Sequence, residues 1–240
     1  ITIFVTTSNN FVENIRIELF DGLLNNIYFK TIFTIFCYLI LINGSNFIDG
    51  MNSLLIGYFL LVLLSLLLLS TTNNLIIDIN IIKKLIIFLF VLYILNVSGL
   101  LFVGDSGAYL ISFIVGFILI KFTNDNPSIS PYYATLLLWY PAFENLFSII
   151  RKKFFKLNAS DADNYHLHQL IFKFILKKTK LSKFFCNNIT GIIINLFNLT
   201  IFILAIKYYF YTKYLILLIV LSTLIYNLLY IYLNKYLNSK

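Results

Sequence analysis

The sequence predicts an all-α fold, a polytopic bundle of about seven transmembrane helices. Of the 240 residues, 60% are hydrophobic and 12% are charged, whereas soluble domains average about 45–50% apolar and about 25% charged residues. Seven apolar stretches also approach the roughly 20 residues that a helix needs to cross a bilayer. These stretches are residues 27–44, 53–70, 84–103, 107–122, 131–150, 188–206 and 213–233. We therefore expect a single membrane-embedded domain over residues 1–240.

Small residues inside the apolar runs predict packing rather than chemistry. Asn96, Ser98 and Gly99 interrupt the third stretch, and in a bundle such residues permit close helix approach. Cys37 and Cys186 lie in or beside apolar runs without metal-ligand spacing. We expect both to be small core residues rather than a disulfide pair.

The residues before the first apolar stretch predict a short strand or hairpin on the extracytoplasmic side. Ile15, Ile17 and Leu19 alternate with charged residues, and Asp21 and Gly22 supply a turn signal. The chain begins with isoleucine and shows no signal-peptide pattern. We therefore expect it to begin within a longer protein.

The basic residues predict which side of the membrane each loop faces. Nine of the 18 Lys and Arg residues lie in the longest polar connection, residues 151–187. The positive-inside rule places this loop in the cytoplasm, and span counting puts loops 44–52 and 103–107 on the same side. The loops on the other side are then 70–83, 123–130 and 207–212. The candidate residues on the cytoplasmic face are Asp49, Asp105, Arg151, Asp161, Asp163, His166 and His168.

The formal net charge of +8 indicates anionic partners. Because the basic residues are clustered in a membrane protein, anionic lipid head groups or phosphorylated substrates are better partners than nucleic acid.

Two carboxylates at helix ends predict a magnesium site. Asp49 precedes Gly50 and Asp105 follows Gly104, and a neighbouring glycine lets backbone and ligand approach closely. Mg²⁺ is typically held by one or two carboxylates plus substrate phosphates. The alternative is that the two residues are unrelated helix N-caps.

Asn46 and Asn52 flank Asp49 at three-residue spacing. On a helical turn they would share its face and offer amide groups to a sugar or diphosphate. In so asparagine-rich a chain, each of them alone carries little weight.

A His-x-His pair, His166 and His168, lies in the basic loop. The pair could ligate a transition metal, bind phosphate or simply be solvated. Zinc is disfavoured because no cysteine is nearby, and the basic residues on both sides favour phosphate.

The stretch from Pro141 to Lys153 ends a span in a basic cluster that contains Arg151. Its simplest interpretation is a positive-inside anchor. Glu144 lies inside the apolar run, so it should face the bundle interior and is a weaker functional candidate.

In order along the chain, these motifs resemble those of the polyprenyl-phosphate N-acetylhexosamine-1-phosphate transferases, the glycosyltransferase family 4 enzymes. Residues 46–50 resemble the Asn-x-x-Asp-Gly segment of that superfamily, and residues 104–107 resemble its Gly-Asp-x-Gly segment. Residues 141–151 and 166–168 resemble its Pro-x-x-(Asp/Glu)…Arg stretch and its His-rich cytoplasmic loop. The superfamily includes undecaprenyl-phosphate GlcNAc-1-phosphate transferases and phospho-N-acetylmuramoyl-pentapeptide transferase.

The resemblance implies an enzyme of a bacterial inner membrane. It implies transfer of a sugar-1-phosphate from a UDP-N-acetylhexosamine to polyprenyl (undecaprenyl) phosphate, with release of UMP, at the start of cell-envelope glycan synthesis. Mg²⁺ is the implied cofactor, and Mn²⁺ could replace it. A homodimer is left open.

The resemblance also implies roles for individual residues. Asp105 would be a Mg²⁺ ligand, Asp49 a catalytic residue, and the substrate-binding residues would be Asn46, Asn52, Arg151, His166 and His168.

Three departures from the family pattern limit this expectation. First, the adjacent Asp-Asp pair of the family and about four upstream spans are absent. Second, Asn52 and Ser53 stand where many members have Asp-Gly. Third, Gln169 stands where many members have a third His. The first departure predicts that this chain is inactive by itself. The alternatives are a non-catalytic membrane scaffold and a transporter of lipid-linked substrates, which would place ionisable residues near the midplane.

Overall fold

The computed structural model describes residues 1–154 and 165–239, and this part of the chain contains helices and no strand. The predicted all-α bundle is confirmed. The helices are α1 (Thr2–Ser8), α2 (Glu18–Leu24), α3 (Ile27–Ile48), α4 (Leu54–Asn73), α5 (Ile79–Val97), α6 (Gly104–Asp125), α7 (Pro131–Leu137), α8 (Trp139–Phe154), α9 (Leu167–Lys178), α10 (Lys183–Lys207) and α11 (Thr212–Asn238).

Six helices of the described chain, α3, α4, α5, α6, α10 and α11, are long and apolar enough to cross a membrane. The protein is therefore a multi-pass membrane protein. Within an apolar stretch of 18 residues in each helix, 72% of the residues are buried inside the bundle in α4, against 17% in α5 and in α11. Because lipid replaces protein as the apolar neighbour at the periphery, α4 is the central helix and α5 and α11 face outward.

The predicted span 131–150 is divided between α7 and α8, which meet at Leu138. At one end of this pair, the Ser130 N–H donates to the Tyr209 carbonyl at 3.0 Å. At the other end, Arg151 donates to the Tyr165 carbonyl. The pair thus covers the length that the sequence assigned to a single helix.

Pro141 explains the break. Proline has no N–H and leaves the carbonyl four residues earlier, that of Leu137, without its helical donor. The Tyr58 hydroxyl, from α4, donates to this carbonyl at 2.9 Å and accepts the Tyr140 N–H at 3.4 Å. One buried side chain therefore satisfies the backbone groups at the break.

The prediction of a strand or hairpin near the N-terminus is wrong. Residues 9–17 are irregular and α2 begins at Glu18. Glu18 and Asp21 lie in the first turn of α2, where acidic side chains stabilise the positive end of the helix. The Asp21 side chain accepts the Ile15 N–H at 2.8 Å, so it caps this segment rather than starting a turn between strands.

The third predicted stretch, residues 84–103, is also shifted. Helix α5 runs from Ile79 to Val97, and Gly99 follows with a φ of +76°. The small polar residues of this stretch therefore mark the end of the helix. Glycine readily adopts the left-handed conformation that terminates a helix.

Hydrogen bonds tie the connections to neighbouring elements at two ends of the bundle. At one end, the Asn52 N–H donates to the Asn187 side chain at 2.6 Å. At the other end, Arg16 donates to the carbonyls of residues 127–129. We call these the site end and the connector end.

Candidate functional site

The turn between α3 and α4 is held rigidly by asparagines from other helices. Ser53 closes this turn with a φ of +67°. Its N–H donates to the Asn96 side chain at 2.7 Å, and its hydroxyl donates to the Asn188 carbonyl at 3.1 Å. Since Asn96 lies in the last turn of α5 and Asn188 lies in α10, two other helices fix the turn that carries Asp49.

Asp49 and Asp105 lie at the site end and interact electrostatically. Asp49 directly follows α3 and is buried, whereas Asp105 is exposed in the first turn of α6. Burial raises the pKa of Asp49 from 3.8 to about 7, and the negative charge of Asp105 also raises it, against a lowering by the Gly104 N–H. Two carboxylates from distant parts of the sequence therefore lie within electrostatic range of each other.

Asn46 and Asn52 are both half-buried on the segment around Asp49. The Asn46 side chain donates to the Tyr109 hydroxyl at 3.4 Å. Tyr109 lies one helical turn after Asp105, so α6 contributes a phenol to the same region as its carboxylate.

The two histidines are buried beneath the site rather than solvated. His166 and His168 are 4% and 0% exposed, and their rings are nearly parallel with centroids 5.4 Å apart. The His166 Nδ1 lies 2.9 Å from one Glu144 carboxylate oxygen, and the His168 Nδ1 lies 3.7 Å from the other. Solvation, one of the three alternatives for this pair, is thereby excluded.

The histidines also reach the turn that carries Asp49. The His166 ring packs against Phe47, with 5.0 Å between the ring centroids. A Cβ atom at Gly50 would lie 3.6 Å from the His168 Nε2. The His-x-His segment and the Asn46–Asn52 segment are therefore two sides of one site.

Arg151 lies behind the histidines. It is 8% exposed, between the rings of Phe147 and Tyr230, at 5.5 and 5.7 Å from their centroids. Its guanidinium donates to the Tyr165 carbonyl and to the Tyr230 hydroxyl. These contacts anchor the residue before His166, so the predicted binding of substrate by Arg151 stays a prediction.

Comparison with protein families identifies the chain. The family model for glycosyl transferase family 4 matches residues 1–123, which is half of the chain. The chain belongs to glycosyl transferase family 4. No curated protein and no solved structure matches it. As a member of this family, the protein is a transferase of a phosphosugar to a lipid carrier.

The family 4 match covers only one side of the site. Asn46, Asp49, Asn52 and Asp105 lie within the matched residues, whereas the residues outside them are Glu144, Arg151, His166 and His168. The second group is joined to the first by the contacts of Phe47 and Gly50 described above.

Several site residues were missed or undervalued from the sequence. Glu144 was a weak candidate, although its position inside an apolar run was the signal that could have found it. Tyr109 carried no signal, and Gln169 entered only as a departure from the family pattern. The Gln169 side chain accepts the His166 N–H at 3.2 Å and so caps α9. Asp161 and Asp163 lie outside the described residues.

The carboxylates fit the magnesium site that the family resemblance implies. Within residues 1–154 and 165–239, no three His, Cys, Asp or Glu side chains form a group that could hold a metal ion. Mg²⁺ needs fewer protein ligands, because waters and substrate phosphates complete its shell, and one buried and one exposed carboxylate meet that requirement.

Proposed function

We propose that the protein transfers an N-acetylhexosamine-1-phosphate from a UDP-sugar to polyprenyl phosphate and releases UMP. The observation that carries this proposal is the meeting of Asp49, Asp105 and the His166–His168 pair at one end of a membrane-spanning bundle. A site at a membrane end allows a lipid phosphate and a soluble nucleotide to meet.

The reaction exchanges one phosphate bond for another. An oxygen of the polyprenyl phosphate attacks the β-phosphorus of the UDP-sugar, and the bond from that phosphorus to the bridging oxygen breaks. UMP leaves with the bridging oxygen, and a polyprenyl-diphosphate sugar remains. Such transfers depend mainly on positioning and on charge stabilisation.

Asp105 and Asp49 have different environments and therefore different roles. The exposed Asp105 carboxylate is the metal ligand, and bound Mg²⁺ would supply charge neutralisation for the diphosphate. The pKa of the Asp49 carboxyl, about 7, lies close to the second pKa of a phosphate monoester, about 6. It can therefore accept the last proton of the lipid phosphate before attack, since such transfer works best when the two pKa values are similar.

The remaining polar residues bind and orient the substrates. The half-buried amides of Asn46 and Asn52 offer hydrogen bonds to the sugar and diphosphate. The imidazoles of His166 and His168 border the same turn and face the sugar-phosphate region. Arg151 fixes the start of the histidine segment through the Tyr165 carbonyl.

We place the site end in the cytoplasm of a bacterial inner membrane. The described basic residues that flank the histidines there are Arg151, Lys152, Lys153, Lys173, Lys177 and Lys178, and the positive-inside rule favours that side. The product would start the synthesis of a cell-envelope glycan.

The test is transfer by the full-length protein in lipid nanodiscs. With UDP-GlcNAc, undecaprenyl phosphate and Mg²⁺, we expect release of UMP and labelling of the lipid by the sugar, and loss of both with EDTA. Absence of UMP release with every UDP-N-acetylhexosamine, from a folded protein, would contradict the proposal and favour the scaffold. Movement of a lipid-linked sugar across the membrane without UMP release would favour the transporter.

A further inference from the structure

A buried carboxylate lies directly beneath the proposed site. Glu144 on α8 is 0% exposed, and a carboxylate removed from water is costly unless charged or hydrogen-bonding partners surround it. Replacing such a buried ionic cluster by apolar side chains is often neutral or stabilising. Stability alone therefore does not explain why a carboxylate stands at this position.

The described partners of Glu144 come from α8 itself and from the segment that opens α9. From α8 itself, the Tyr140 hydroxyl donates to one carboxylate oxygen at 3.1 Å. From the segment that opens α9, His166 and His168 approach through their Nδ1 atoms.

This arrangement fixes the orientation of the imidazoles. An ionised carboxylate only accepts hydrogen bonds, so the His166 Nδ1 that lies 2.9 Å away carries the hydrogen. The Nε2 atom is on the opposite edge of each ring and is directed away from Glu144. For His168 this edge lies beside Gly50 of the α3–α4 turn.

The backbone of the histidine segment is fixed independently. Arg151 holds the Tyr165 carbonyl, and the Gln169 side chain holds the His166 N–H. The ring orientation of His166 therefore depends on Glu144, whereas the position of its backbone does not.

We propose that Glu144 is a positioning residue for the diphosphate of the nucleotide sugar: it binds the Nδ1 edges of His166 and His168 so that their Nε2 edges are presented to the substrate at the α3–α4 turn. This inference rests on the proposed function and names the residue that orients the two histidines of the proposed site. A glutamine at position 144 would not replace the carboxylate, because its amide can turn either an oxygen or an NH₂ group toward each imidazole.

The first test compares the Michaelis constants of the two substrates in the Glu144→Gln variant. We expect KM for the UDP-sugar to rise about tenfold, the effect of one charged hydrogen bond, while KM for polyprenyl phosphate stays unchanged. Glu144→Asp restores the carboxylate on a shorter arm and should give an intermediate KM. Glu18→Gln, the same substitution on an exposed residue of α2, is the matched control and should behave as wild type.

A double-mutant comparison separates positioning from packing. If Glu144 acts through the two imidazoles, adding Glu144→Gln to the His166→Ala/His168→Ala variant should leave its KM for the UDP-sugar unchanged. Additive effects, or equal rises of KM for both substrates, would overturn the proposal. Should Glu144→Gln fail to fold, Glu144→Asp decides in its place: only a rise confined to the UDP-sugar supports the proposal.

Calorimetric titration with UDP, without lipid, distinguishes this inference from the proposed function. We expect Glu144→Gln to weaken UDP binding about tenfold and Glu18→Gln to leave it unchanged. If UDP binding depends on Glu144 but no transfer occurs, the proposed function fails and the positioning role stands. If transfer occurs and Glu144→Gln has wild-type constants, the positioning role fails and the function stands.

Discussion

At the connector end polar side chains bond to backbone groups, whereas the site end brings a buried and an exposed carboxylate within electrostatic range of each other. Arg16 donates to the carbonyls of residues 127–129 and to that of Phe210. Asn126 accepts the Ile76 N–H at 2.8 Å and donates to the Ile76 and Phe122 carbonyls. The connector end thus satisfies its polar groups internally, as a structural element must.

The site end does the opposite with its acidic groups. Asp49 is buried near a second negative charge, and its pKa is raised as a result. A buried carboxyl with a raised pKa beside a second carboxylate is typical of a functional site. Four substitutions test this contrast, in decreasing order of expected effect.

Asp105→Asn should lower the rate of transfer about 1000-fold, because it removes charge at the metal and phosphate site rather than packing. The measurement is UMP release at saturating substrates. The control is Asp78→Asn, since Asp78 caps α5 at the connector end and asparagine caps a helix equally well. Turnover within tenfold of wild type would remove Asp105 from the metal site.

Asp49→Asn should lower the rate of transfer about 100-fold, as loss of a general base does, and also stabilise the fold in a pH-dependent way. Because the folded pKa of about 7 lies above the ordinary 3.8, folding favours the neutral carboxyl, and the cost of the charged form grows as pH rises from 4 to 7. The gain in unfolding free energy on substitution should be about 1–2 kcal/mol at pH 5 and about 4 kcal/mol at pH 8. Melting temperatures in detergent, without Mg²⁺ or substrate, measure this difference, and a gain independent of pH would contradict it.

Arg16→Met should destabilise the protein by about 2–3 kcal/mol, because several carbonyls lose a charged donor, without changing KM for either substrate. The melting temperature and the transfer assay together measure this. Lys213→Met, an exposed lysine at the same end, is the matched control. A change in KM with Arg16→Met would show that the two ends are not independent.

His166→Ala should raise KM for the UDP-sugar about tenfold, equivalent to about 1.4 kcal/mol, and leave KM for the lipid unchanged. His166→Gln can still donate to Glu144, so it should show the same KM with a smaller loss of stability. A rise confined to KM for polyprenyl phosphate would refute the assignment of His166 to the nucleotide sugar.

The bundle and the convergence of its carboxylates could be predicted from the sequence, because both depend on local quantities. Apolar length gives the spans, and counting spans from a basic loop brings Asp49 and Asp105 to one end. The strand predicted over residues 15–19 failed because five alternating residues also fit an irregular segment that enters a helix. The alternation of apolar and charged residues also takes no account of the backbone carbonyls to which Arg16 donates, more than 100 residues away.

The pairing of Glu144 with the histidines could not be predicted from the sequence. It depends on how α8 is rotated and on where His166, 22 positions further along the chain, is placed against it. The asparagines around the turn raise the same difficulty: Asn96 and Asn188 resembled the many other asparagines of this chain until α4, α5 and α10 were placed together.

The break at Pro141 sets the rotation of everything that follows it. Helix α8 restarts at Trp139, so Glu144 faces the imidazoles because a fixed number of residues separates it from the restart. Each residue of an α-helix turns the next side chain by about 100°. Inserting or deleting one residue between Pro141 and Glu144 would therefore point the carboxylate at lipid or at a neighbouring helix. The position of a single proline thus determines whether the histidines have their carboxylate partner.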